Sequence, residues 1–64
     1  MSKRAITRIE LLLVDKAITL YSDGELAVND CIEEYLLEDC KFHEDAAFNL
    51  SLELTDLWME EKNR

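Results

Sequence analysis

The chain has no proline and a single glycine in 64 residues, so it offers very few places where regular backbone must break. Its apolar residues recur at steps of three and four, the period of an α-helix, and not at the alternating step of a strand. In the first segment Ile6, Ile9, Leu13, Ala17 and Leu20 follow that rule, and a second stripe of Leu11, Val14, Ile18 and Tyr21 runs beside it. Together they cover more than half of the circumference, wider than a surface helix normally needs. This pattern predicts a helix over about 3–21, with Ser2 as its N-cap.

The helix is expected to stop at Ser22-Asp23-Gly24, where Gly24 can take the left-handed conformation that ends helices. Glu25 to Val28 then form a short connector with Leu26 and Val28 turned inward. Ser22 and Glu25 have capping-box spacing and would allow an earlier second helix. Asn29 suits the N-cap better, because Gly24 fits a break and Asp30, Glu33 and Glu34 favour the positive end of a helix that starts there. That helix, about 30–40, carries Ile32, Leu36 and Cys40 on one side. A third helix, about 44–61, has a main stripe of Ala47, Leu50, Leu54, Leu57 and Trp58 and a second one of Phe48, Leu52 and Met59. Glu44 and Asp45 open it and Lys62 and Arg64 close it, as the helix dipole prefers. The expectation is one all-α domain over 1–64, long–short–long.

A domain this short buries only ~60% of the surface its unfolded chain exposes. Two long helices with double stripes therefore present more apolar surface than one copy hides. A symmetric homodimer, bundle-like at its core, is the commonest remedy. Leu11, Val14, Ile18, Tyr21, Phe48, Leu52 and Met59 are the expected self-association or partner surface. Trp58 and Phe42 are expected in the core.

The net charge of −8 is unevenly spread: residues 1–22 carry +2, 23–45 carry −8 and 46–64 carry −2. Lys3, Arg4 and Arg8 are the candidate phosphate contacts, although an acidic chain repels duplex DNA as a whole. Glu33, Glu34, Glu38, Asp39, Glu44 and Asp45 form a candidate face for a basic partner, or a mimic of nucleic-acid charge; the plainer reading is a solvated face that keeps an apolar dimer soluble. The run Leu11-Leu12-Leu13-Val14 is bracketed by charge and is too short for a membrane span or a secretory signal. A cytoplasmic protein with reduced Cys31 and Cys40 is expected.

The stretch EDCKFHED, residues 38–45, gathers acids, Cys40 and the one histidine, His43. A structural zinc site wants four ligands, and here only Cys31 and a carboxylate are left to complete it. The better reading is a corner in which Cys40 is buried and Phe42 plugs the turn. Gly24, aligned with the glycine of a calcium-binding EF-hand loop, puts Thr19, Tyr21 and Asp30 at ligand positions that want other residues. No nucleophile–base pair or phosphate-cradling loop is present, so neither an enzyme nor a cofactor is expected.

The segment KRAITRIELLLVDKAITLYSDGELAVNDCIEEYLLEDC, residues 3–40, resembles in general character the small early proteins of lambdoid phages encoded between the exonuclease and excisionase genes. The resemblance carries no catalytic or binding motif, so no residue role transfers with it. It implies a dispensable regulator acting on bacterial host physiology or the lysis–lysogeny choice. The resulting expectation is a small acidic helical protein–protein interaction module with a host protein partner. A nucleic-acid-linked regulator is the alternative.

Overall fold

The computed structural model describes residues 4–22 and 26–64, and three helices account for most of them: α1 (Arg8–Tyr21), α2 (Val28–Glu38) and α3 (Glu44–Lys62). The all-α, three-helix expectation holds, and no strand occurs among the described residues.

Helix α1 begins later than expected. Thr7 is its N-cap: the Glu10 N–H donates to Thr7 Oγ1 at 3.1 Å and the Thr7 N–H donates to Glu10 Oε1 at 2.9 Å, a complete capping box. These reciprocal bonds satisfy two backbone donors, so the helix starts at Arg8 and residues 4–7 run ahead of it in non-helical backbone. Ile6 still reaches the core from that arm. The proposed cap at Ser2 and the proposed break at Gly24 lie outside the described residues.

Helix α2 starts at Val28, two residues before the expected start. Ala27 is the cap, without a side-chain bond, and Asn29 lies inside the helix. Starting at Val28 puts that residue on the same face as Cys31, Ile32 and Leu36, where it packs against the core. Leu26, expected to tuck inward, is exposed. The helix ends at Glu38, short of Cys40. Asp39 and Cys40 both donate their N–H groups to the Tyr35 carbonyl, at 2.9 and 3.2 Å, and the Phe42 N–H reaches back to the Leu36 carbonyl at 3.0 Å. Lys41, with φ of 62°, takes the left-handed conformation that makes this turn.

The core is one cluster: Ile6; Val14 and Ala17 from α1; Cys31, Ile32 and Leu36 from α2; Ala47, Leu54 and Leu57 from α3. Ser51 is also fully buried, and its hydroxyl donates to the Phe48 carbonyl at 2.7 Å. Ala17, Ala47 and Ser51 are small, which lets the helix backbones approach closely and leaves the larger Ile32, Leu36 and Leu54 to fill the centre.

Candidate interaction surfaces

On α1 the two apolar stripes do not divide into an inner and an outer face as expected, and Ile6 and Ala17 of the first stripe are in the core. Val14, assigned to the partner surface, is fully buried, and Leu11, Ile18 and Tyr21 pack against the core. Ile9, from the other stripe, is 78% exposed, and Leu20 is exposed too. The buried centre of the helix lies between the stripes, at Val14 and Ala17, and nearer to the second. Two bonds from Tyr21 hold this orientation. Its hydroxyl donates to Asp39 Oδ1 at 2.7 Å, and its carbonyl accepts from Cys31 Sγ at 3.3 Å. The bond to Asp39, with burial and other nearby carboxylates adding to it, pushes the Tyr21 hydroxyl up to about 12. Burial pushes the Cys31 thiol up as well.

On α3, Phe48, Leu52 and Met59 are all exposed, with Met59 at 52%. At ~100° per residue they share one outward strip of the helix. Glu53, which faces the arm ahead of α1, lies ~120° round from the centre of that strip. Sequence reasoning missed Leu12, 61% exposed beside Ile9 on the outside of α1. Its signal was there, in the step from Leu12 through Lys16 to Leu20.

The basic end is a clamp. Arg4 Nη1 and Nη2 donate to Glu10 Oε1 and Oε2 at 2.8 and 2.9 Å, while Nε and Nη2 donate to Glu53 Oε2 at 3.1 and 2.7 Å. The paired guanidinium, with the Thr7 backbone bond next in weight, holds the Glu10 carboxyl down at about 2, and the same bonds raise the Arg4 pKa. Arg4 therefore faces two carboxylates of its own chain instead of a phosphate. Arg8 is exposed, and Lys3 lies outside the described residues. An open cleft of about 250 Å³ beside this clamp is lined by Arg4, Glu53, Asp56 and Leu57.

The acidic positions are mostly solvated. Glu34, Glu38, Asp39, Glu44 and Asp45 are exposed and Glu33 is half-buried. Asp39 is engaged with Tyr21, and Glu44 and Asp45 lie in the first turn of α3, where their charge suits the helix dipole.

The EDCKFHED stretch is a corner, but not the buried one expected. Cys40 and Phe42 are exposed and Cys31 alone of the two thiols is buried, because the left-handed turn at Lys41 swings the segment outward. His43 caps α3 through its backbone, with no side-chain bond. Among the described residues no group of three or more His, Cys, Asp or Glu is placed to hold a metal ion. Thr19 donates its hydroxyl to the Asp15 carbonyl inside α1 at 2.8 Å, an ordinary helical bond. Trp58 packs partly against the core with Lys62 Nζ 5.4 Å from its ring centroid, and its buried Nε1–H meets no acceptor among the described residues.

No helix among the described residues is long and apolar enough to cross a membrane. Family models, curated proteins and solved structures were all compared with the chain, and none matches.

Proposed function

We propose that this protein works by binding other proteins, first of all a second copy of itself, and that it performs no chemistry of its own. The observation that carries the reading is the row Phe48, Leu52 and Met59, bulky and exposed on α3 while Ala47 and Ser51 of the same helix are fully buried. Aromatic and Met side chains in such a row are favoured at protein interfaces. The outside of α1, with Ile9, Leu12 and Leu20, is a further apolar face for a partner once the α3 row is covered. The resemblance of residues 3–40 to small early proteins of lambdoid phages supports a phage- or prophage-encoded regulator that acts on bacterial host proteins or the lysis–lysogeny choice, in the host cytoplasm. In the nucleic-acid alternative, direct contact is left with Arg8 as the one described member of its three candidate phosphate contacts that is outside the clamp, and mimicry would use the exposed Glu34, Glu38, Glu44 and Asp45.

Light scattering over a concentration series tests the self-association. The unmodified chain should have twice the monomer mass, and Phe48→Ser/Met59→Ser should return it to the monomer mass with its helix content kept. A monomer at every concentration, or an undisturbed dimer after the double change, refutes this use of the α3 face.

A further inference from the structure

The outward strip of α3 has a finer order than a patch of exposed apolar residues requires. Asp45, Phe48, Leu52, Thr55, Met59 and Lys62 follow one another at steps of three, four, three, four and three. That is the heptad spacing of a helix that packs along its length against another helix. Asp45, Phe48, Leu52, Met59 and Lys62 are exposed and Thr55 is partly so. The Thr55 hydroxyl donates to the Ser51 carbonyl at 2.7 Å, so its polar group is satisfied within its own helix. The methyl group is thereby left available for an apolar contact. The strip is ~26 Å long at 1.5 Å per residue.

The sequence of the strip is also symmetric about its middle, between Leu52 and Thr55, with charge of opposite sign at its two ends. We propose that α3 pairs with α3 of a second copy, antiparallel and about a two-fold axis, in the register fixed by that symmetry. Asp45 of each copy then meets Lys62 of the other, Phe48 meets Met59, and Leu52 meets Thr55. Each contact occurs twice, as a two-fold interface demands. Two apolar pairs occupy each half of the seam and an ion pair closes each end. A parallel pairing would instead set Asp45 against Asp45 and Lys62 against Lys62. Antiparallel packing also sets the two helix dipoles in opposition, which is the favourable arrangement.

This inference rests on the self-association reading and adds orientation and register to it. Its test is a charge exchange followed by sedimentation of the full chain. Asp45→Lys alone places two lysines at each end of the seam, and Lys62→Asp alone places two aspartates there. Each single variant should dimerise about tenfold more weakly than the unmodified chain, with two exposed ion pairs lost and like charges put in their place. An equimolar mixture of the two restores both attractive ends and should dimerise close to the original strength. The double variant Asp45→Lys/Lys62→Asp should do the same. The mixture also controls for any local cost to helix ends, which it leaves unchanged.

A second readout needs no charged variant. In a Cys40→Ser background, Leu52→Cys mixed with Thr55→Cys should give mostly the cross-variant disulfide under mild oxidation, with little homodimer of either. If the chain dimerises and Phe48→Ser/Met59→Ser abolishes it, yet the mixture is no tighter than its components and the disulfide does not favour the cross-variant pair, the antiparallel register is wrong and the interaction reading survives. A chain that is monomeric throughout removes both.

Discussion

The two faces of α3 each carry leucine, but they differ in what accompanies it, alanine and serine inside and phenylalanine and methionine outside. Inside lie Ala47, Ser51, Leu54 and Leu57; outside lie Phe48, Leu52 and Met59. Ranking by bulk and hydrophobicity alone would put phenylalanine and methionine in and alanine and serine out. In a domain of this size the distance between helices decides otherwise. Small side chains bring the backbones together so that a few branched residues can fill the centre at native density. The larger apolar groups are then left outside, where folding of one copy gains little from them. The inner face serves the fold and the outer face is available for contact.

The largest expected effect tests that division directly. Leu54 is 1% exposed, and Leu54→Ala should cost about 2–5 kcal/mol from the lost contacts and the cavity left behind. A chain of this length has only about 3–10 kcal/mol to lose, so the change should remove a large fraction of its stability, seen as a much lower urea midpoint. Met59→Ala, measured by urea denaturation at a concentration where the chain is monomeric, should change stability by no more than about 0.5 kcal/mol. Comparable losses from the two changes would break the comparison, because they would show the outer row packed within one copy.

How far the sequence could be read follows the same division. The three helices, the end of α1 and the start of α3 were legible, because periodicity and the acids at Glu44 and Asp45 are local signals. Both α3 stripes were read in their right orientation, since Ala47, Leu54 and Leu57 lie on one narrow arc. The α1 stripes were not, because that helix is apolar through most of a turn and its periodicity gives no single direction. What orients it is non-local: the Tyr21–Asp39 bond between two helices and the Arg4 bridge from Glu10 to Glu53. The α1 start was legible in principle, in the Thr7 and Glu10 spacing, but a longer apolar pattern obscured it. The turn at Lys41 had no sequence signal at all, since lysine is not a residue that announces a left-handed backbone.

A second experiment sharpens the comparison by asking which parts of the outer surface do support the fold. The Arg4 clamp is on the surface, yet it joins the arm ahead of α1 to the middle of α3. Glu10 ionises at about 2 when folded against its ordinary 4.5, so its contribution is present above pH 4.5 and is lost as pH falls from there toward 2. Glu10→Gln should therefore be less stable than the unmodified chain at pH 7, and the gap should close on acidification through that window. The loss should be smaller than that of Leu54→Ala, since the pair is partly solvated. Urea midpoints at pH 7 and pH 3 measure it. A gap that is constant with pH would mean that Glu10 acts through its helix cap alone and not through its charge.

A small gain is expected at the corner, where backbone conformation matters and side-chain burial does not. Lys41 holds φ at 62° with an ordinary side chain, and a left-handed residue with a Cβ costs roughly 1–2 kcal/mol. Glycine relieves that cost but has more freedom to lose on folding, about 0.5–1 kcal/mol. Lys41→Gly should thus raise stability by a few tenths to about 1 kcal/mol, seen as a higher urea midpoint. The gain should not depend on protein concentration, because Lys41 is not on the outer strip of α3. A fall in stability would mean that the lysine side chain makes up for its own strain, and that the corner belongs with the Arg4 clamp among the outer features that hold the fold together.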